Sequence, residues 1–214
     1  DFRRWQYGGS IGGPIKKDKA FFFFTFERFQ EDQFAIMAAS TVAELQALKS
    51  ANVSIYGASP GPVDKLPQPF RSNMWTARAD WTINEKNNVY LSWNNSYNRS
   101  DNDQGPTDLT NTNFNTNRNY IMSMVWNSLI SPRVLNQFVW GTSYWNNLID
   151  TESYTPVIVN FASVGYGTNG NVPQQTFQKK WQIKDSLMWN KGSHGLKFGG
   201  DWVIEPWLGG FFGY

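Results

Sequence analysis

The sequence predicts an all-β chain, an antiparallel meander of about eight long strands paired as four hairpins. Three observations predict it. Apolar and polar residues alternate over long stretches. Short turns join the strands within each hairpin, whereas long polar links join one hairpin to the next. Aromatic residues make up 17% of the 214 residues, as 11 Trp, 9 Tyr and 16 Phe, and several sit near the ends of alternating segments.

The clearest strand is Trp75 to Ile83. Trp75, Ala77, Ala79, Trp81 and Ile83 are apolar, and Thr76, Arg78, Asp80 and Thr82 between them are polar. Successive side chains of a strand point to opposite faces, so this strand has two environments. The turn-like Asn84 to Asn88 follows, then a second alternating strand with Val89, Leu91, Trp93 and Tyr97 on one face. Centring the turn on Lys86 pairs Ile83 with Val89, Trp81 with Leu91, Ala79 with Trp93 and Trp75 with Tyr97. Asn95 intrudes on the apolar face opposite Ala77, and Tyr90 points the other way. A slip of one residue would destroy the match, so the register is well specified.

The last hairpin passes the same test. Across Lys191-Gly192-Ser193, Trp189 pairs with Leu196, Leu187 with Phe198, Ile183 with Trp202 and Trp181 with Ile204. On the other face Lys184 meets Asp201 and Lys180 meets Glu205, and such opposed charges favour pairing by roughly 0.2–1 kcal/mol each. Asp185 falls on the apolar face opposite Gly200; a nearby bulge or a different register would resolve it.

A third hairpin runs from about Tyr120 to Tyr144 and turns at Ser131-Pro132. Its apolar face carries Tyr120, Met122, Met124, Trp126, Ile130, Val134, Phe138, Trp140 and Tyr144, while Ile121, Val125 and Leu135 lie opposite. The first hairpin spans about Trp5 to Gly12, a turn at Lys16 to Lys19, and Ala20 to Phe29, although Phe21 to Phe24 shows no alternation.

The links, about Gln30 to Arg71, Arg99 to Arg118 and Asn147 to Thr176, are rich in Asn, Asp, Thr, Gly and Pro. In the first of them Thr41-Val-Ala-Glu44 has the form of a capping box and opens one short helix to about Ser50. A loop with chance helical propensity is the other reading of that segment.

Composition narrows the class. The net charge is +2 and there is no Cys. No basic patch points to nucleic acid, and neither a disulfide framework nor a thiolate metal site is available. No stretch approaches the roughly 20 apolar residues of a membrane helix, but barrel strands alternate and never give such a run. The expected strands, about ten to fourteen residues long, match the 9–11 of a tilted membrane strand better than the shorter globular norm. Short turns at one end and long polar loops at the other are the pattern of an outer-membrane β-barrel, whose long loops are extracellular. Trp75, Trp81, Trp93, Tyr97, Trp181, Trp189, Phe198 and Trp202 are then the lipid-facing and girdle positions. Arg78, Asp80, Lys184, Asp201 and Glu205 share the polar face and line a lumen, or simply keep that face hydrated and paired.

The opening Phe2-Arg-Arg-Trp-Gln-Tyr-Gly-Gly-Ser-Ile-Gly-Gly-Pro-Ile-Lys-Lys-Asp-Lys-Ala-Phe-Phe-Phe-Phe24 resembles a segment of the Oar-like TonB-dependent outer-membrane receptors, which often carry a carboxypeptidase-regulatory-like domain. That family has Asn where this chain has Trp5. Arg78 to Asn84, Ile130 to Asn136 and Asp185 to Asp201 look similar too, so the resemblance runs through all four hairpins in order. It implies that residues 1–214 form the N-terminal part of a larger receptor barrel. The plug, the TonB box and the remaining strands would lie elsewhere. It also implies energised uptake of an unidentified solute, contact with outer-membrane lipid, and a TonB complex reached through that plug. The start at Asp1 and the stop in an aromatic segment at Tyr214 fit a piece of a longer protein. Closure of eight strands into a small barrel is the alternative; the small polar-face residues Ser92, Ser96, Ser186 and Gly199 favour a wide lumen.

Little in the sequence points to catalysis, a cofactor or a metal. His194, the one histidine, reads as a turn residue, since a triad needs a distant, oriented acid. Asp101, Asp103 and Asp108 lack the spacing of a calcium loop. Gly8-Gly9 and Gly12-Gly13 lack the Lys-Ser/Thr of a phosphate loop and suit tight barrel geometry. The sequence therefore points to a transport component that is not an enzyme. A secreted β-sandwich that stacks sugars on exposed rings, and a passive porin or adhesin barrel, are the competing readings.

Overall fold

The structure is a computed structural model that describes residues 2–51, 65–102, 113–152, 154, 158–160, 165–167 and 171–212. Eight long strands form one sheet: β1 (Arg3–Lys16), β2 (Ala20–Asp32), β5 (Phe70–Asn84), β6 (Asn87–Asp101), β7 (Asn113–Ser131), β8 (Val134–Thr151), β11 (Gln174–Lys191) and β12 (His194–Phe212). Two small ribbons lie in the links, β3 (Phe34–Ile36) with β4 (Lys65–Pro67), and β9 (Ile158–Asn160) with β10 (Gly165–Gly167). The long strands follow one another in chain order, and each pairs antiparallel with the next. The sheet is open, with β1 and β12 as its edges. This is the all-β, eight-strand meander that the alternation predicts, without closure into a small barrel.

Local chemistry fixes the four short turns, which all lie at one end of the sheet. Between β5 and β6 the Asn84 side-chain oxygen accepts from the Lys86 backbone N–H at 2.9 Å and from Asn87 Nδ2 at 3.0 Å. Such an Asn closes a turn on its own. Pro132 fills the turn between β7 and β8, where its fixed φ suits the position and its missing N–H costs no ladder bond. Gly192 begins the β11–β12 turn with a φ of +61°, which a residue with a Cβ rarely adopts. In the β1–β2 turn Lys19 N–H donates to the Lys16 carbonyl at 3.0 Å.

Register carries each side chain to one of two faces. One row runs Ile11, Phe24, Ala77, Trp93, Met122, Thr142, Trp181 and Ile204 across all eight strands. The next row runs Gly13, Phe22, Ala79, Leu91, Met124, Trp140, Ile183 and Trp202. These rows make an apolar belt on one face. The unalternating Phe21 to Phe24 run is split, with Phe22 and Phe24 in the belt and Phe21 and Phe23 on the opposite face.

Several expectations are corrected. In the β5–β6 hairpin Trp81 pairs with Val89, Ala79 with Leu91, Ala77 with Trp93, and Tyr97 with Asn73. The predicted pairing was two residues off, because the turn is Glu85-Lys86 with a register shift between Thr82 and Asn84. A shift of two leaves every side chain on its predicted face. The strands are also longer than expected, at 13 to 19 residues, because they extend into the links. Asp185 does pair with Gly200, and the irregularity in that hairpin lies between Lys179 and Trp181 instead. The helix α1 (Ala39–Ser50) starts two residues before Thr41, its N-cap is Ala38, and no side chain caps it. The expected capping box therefore does not form.

The fully buried apolar cluster is small. Met37, Leu45 and Leu66 pack α1 against the β3–β4 ribbon, with Ala35, Val42 and Leu48 around them. The apolar belt of the sheet has no such cover: Trp81 is 58% exposed, Ile204 54% and Trp202 74%. Water-soluble monomers seldom leave so broad an apolar surface bare. Among the described residues no second long sheet lies over it, as a β-sandwich would require.

Candidate functional site

The polar face of the sheet brings together the groups able to meet a solute. Arg78 and Asp80 both point to it from β5. Arg78 Nε donates to Asp80 Oδ2 at 2.8 Å and Nη2 to Oδ1 at 2.7 Å, and the guanidinium lies 4.4 Å from the centre of the Tyr90 ring. Lys184, Asp201 and Glu205 sit on the same face at the far side of the sheet, on β11 and β12. Lys180 Nζ is 3.1 Å from Glu205 Oε1, the expected ion pair. Lys184 is opposite Asp201 in register, but the Asp201 carboxylate accepts from Gln182 Nε2 at 2.8 and 2.9 Å instead. The five predicted residues thus form two charged clusters, with β6, β7 and β8 between them.

What fills the gap is an amide and hydroxyl ladder that the sequence reading missed. Asn117 Nδ2 donates to Asn98 at 3.0 Å, and Asn147 Nδ2 donates to Asn115 at 2.7 Å and to Asn117 at 3.0 Å. Nearer the turns, Asn127 Nδ2 donates to Asn88 at 3.0 Å, and Gln137 Nε2 donates to Asn127 at 2.9 Å. Ser92 and Ser123 share a hydrogen bond of 2.6 Å between them. A signal for the ladder exists: Asn occupies every second position from 113 to 119. On β1 and β2 the same face carries Arg4 with Glu31 at 2.6 Å and Gln6 with Glu27 at 3.1 Å, also unforeseen. The wall is not wholly polar, since Phe21, Phe23, Met74, Ile121 and Val203 share it.

The opposite face holds all eight predicted aromatic positions: Trp75, Trp81, Trp93, Tyr97, Trp181, Trp189, Phe198 and Trp202. Trp5, in the segment that resembles receptor barrels, pairs with Gln30 on this face and is exposed. Away from the turns the belt gives way to polar residues. Arg28 donates to Asn73 Oδ1 at 2.8 Å, and Arg118 lies 5.9 Å from the centre of the Tyr97 ring. Lys179 Nζ lies 4.6 Å from the centre of the Trp207 ring. Beyond them Arg71 pairs with Asp32, and Arg99 with Asp101 and Glu152.

His194 opens β12 opposite Lys191. Asp101 accepts from Arg99 Nε at 2.6 Å, while Asp103 and Asp108 lie outside the described residues. Among the described residues no three His, Asp or Glu side chains group to hold a metal. A Cβ on Gly8 would meet the Phe26 carbonyl oxygen at 2.2 Å, so Gly8 lets β1 and β2 approach closely. Beside the β3–β4 ribbon, Arg3, Asp32, Phe34, Pro67 and Arg71 line an open cleft of about 480 Å³.

A fold of this kind is found in the outer membrane transporter YddB from Escherichia coli, with a TM-score of 0.69 at 11% identity. The likeness covers 96% of this chain and 26% of that one, so the chain spans about a quarter of the transporter's length. No curated protein sequence matches the chain. Its sequence does match the outer membrane beta barrel domain family over residues 1–67 and 57–207. The chain belongs to that family.

Proposed function

We propose that this chain forms part of the wall of a TonB-dependent uptake channel, with its apolar face against lipid and its polar face toward the lumen. Its home is the outer membrane, and its fold is that of an outer-membrane barrel transporter. One observation carries the assignment of faces. A single register places Trp75, Trp81, Trp93, Trp181, Trp189 and Trp202 on one side, and Arg78, Asp80, Lys184, Asp201 and Glu205 on the other. Lipid requires an apolar outer band, and a water-filled interior accepts paired charges and amides. The TonB-dependent part rests on the resemblance of the opening segment and of the three later segments to Oar-like receptors.

In this reading the lumenal wall has two charged zones with a neutral amide zone between them. The ion pairs Arg78–Asp80 and Lys180–Glu205 offset part of the charge in the two zones. Such a wall offers polar solutes hydrogen-bonding groups of both signs. The choice of solute would belong to the loops and to a plug contributed by other parts of the receptor.

Two measurements test the proposal. The chain has no Cys, so single cysteines report without background. In assembled protein, cysteine at Leu91 should resist a membrane-impermeant thiol reagent and cysteine at Asn94 should react. Reversal of that pattern overturns the assignment of faces. Uptake by cells carrying the full receptor should collapse when TonB is deleted. Uptake that persists without TonB would make the barrel a passive porin.

A further inference from the structure

We propose that Arg28, Arg118 and Lys179 form a cationic collar that binds the phosphates of an outer-leaflet glycolipid. This inference rests on the assignment of faces above, with the long links on the outer side of the membrane.

The collar follows from register. Arg28, Asn73, Tyr97, Arg118 and Asn146 form one row across β2, β5, β6, β7 and β8. It lies on the apolar face, two rows beyond the Phe24–Ala77–Trp93–Met122 row and away from the turns. Lys179 sits one step lower on β11, opposite Tyr144. This first polar margin holds cations and neutral groups only. The acids come later. Asp32, Asp101 and Asp150 all lie farther along the strands, and each is engaged: Asp32 by Arg71, Asp101 by Arg99, and Asp150 by the Tyr154 hydroxyl. Glu152 is also taken by Arg99.

Arg28, Arg118 and Lys179 have no carboxylate partner among the described residues. Neutral contacts hold them instead. Arg28 bonds to the Asn73 amide, and the Gln30 amide lies 3.0 Å from its Nε and Nη2 with its oxygen turned to accept. Arg118 leans on Tyr97, and Lys179 lies between Trp181 and Trp207 at 5.6 and 4.6 Å. The charged heads of Arg118 and Lys179 lie over aromatic rings and that of Arg28 against two amides, at the edge of the belt where long basic side chains sit at a membrane interface.

The spacing suits a headgroup with more than one phosphate. Neighbouring strands are about 4.8 Å apart, so three strand steps set the Arg28 and Arg118 backbones about 14 Å apart. Two further steps, about 10 Å, reach Lys179. Arginine forks take phosphate oxygens two at a time, and their charge survives at any physiological pH. An anion-free row of such groups at headgroup height matches a phosphorylated glycolipid better than a zwitterionic one.

The test uses the full receptor purified from outer membranes. Bisphosphorylated lipid A, its dephosphorylated form and inorganic phosphate serve as probes, and bound lipid is counted by native mass spectrometry. Bisphosphorylated lipid A should be retained by the natural protein. Its affinity should fall about fivefold for each of Arg28→Gln, Arg118→Gln and Lys179→Gln, and on the order of a hundredfold for all three together. Equal retention by the triple variant overturns the collar. So does equal retention of the dephosphorylated lipid, because the belt alone would then hold it. Displacement by millimolar inorganic phosphate would make this a free-anion site and also overturns it. Cysteine at Leu91 keeps the two claims apart. If it is protected from water while lipid retention is unchanged, only the collar fails; if it reacts freely, the underlying reading fails.

Discussion

Arg78 and Asp80 stand two positions apart on one strand and close a bidentate ion pair on its polar face, 2.8 and 2.7 Å between heavy atoms. The pair needs no partner strand. Its side chains are 46% and 40% exposed, so solvent screens it. Asp80→Asn should change the stability of the assembled barrel by less than about 1 kcal/mol. It leaves a net positive charge at that point of the wall, and Arg78 stays against Tyr90. Band shifts on heating in detergent gels measure the stability, and a loss well above that value would show that the pair is screened less than its exposure implies.

Leu91 and Asn94 belong to one strand and opposite faces. Leu91 lies in the belt three rows from the Tyr97–Arg118 margin, and Leu91→Arg should destabilise the membrane-inserted protein by about 2–4 kcal/mol. Asn94→Arg should be nearly neutral. Equilibrium unfolding from lipid vesicles compares the two, and equal costs would refute the division of faces.

Gly8 and Gly9 separate close approach from mere flexibility. Gly8→Ala puts a carbon 2.2 Å from the Phe26 carbonyl oxygen, and backbone must move. Gly9→Ala meets nothing within 4 Å. The first change should cost about 1–3 kcal/mol, as overpacking does, and the second should be tolerated. The yield of heat-modifiable protein in outer membranes would rank them.

Asp185 is a carboxylate inside the apolar belt, one row from the Leu91–Ile183 row, and is held by Asn136 Nδ2 at 2.8 Å. Asp185→Asn keeps an acceptor for that donor and removes the charge. A carboxylate within the lipid-facing band costs less than Arg or Lys there, about 1–2 kcal/mol, so the variant should gain up to that amount. A loss of stability would show that the charge itself is used.

The parts of the fold that the sequence made legible are those where period two is clean. Trp75 to Ile83 and Trp181 to Trp189 disclose their faces because every second residue, Asp185 excepted, is apolar. Register was harder to read. A slip of two residues leaves faces intact, so hydrophobic pattern alone cannot distinguish Trp81 opposite Leu91 from Trp81 opposite Val89; the Asn84 turn decides it. The amide ladder is hard to see in the sequence because Asn reads as a loop former, and Asn113, Asn115 and Asn117 fall within the link expected from about Arg99 to Arg118. Strand pairing overrides that preference when each Asn finds another across the ladder. The capping box at Thr41 failed for a simpler reason: the helix begins earlier, so Thr41 already lies inside its first turn. Phe21 to Phe24 hides its two faces because both are aromatic, and only the partner strand assigns them.

The order of the strands bears on how the sheet is made. Within the pairs β1–β2, β5–β6, β7–β8 and β11–β12, two or three residues close the turn, so each pair zips from a nearby start. The contacts between pairs, such as Phe24 against Ala77, must wait until a long link has been gathered in. Local contacts form faster than distant ones, and the entropy of closing a link grows only slowly with its length. Four preformed hairpins docking side by side is thus the quick route. Lengthening a link should barely delay it, whereas spoiling a two-residue turn should stall the hairpin that depends on it.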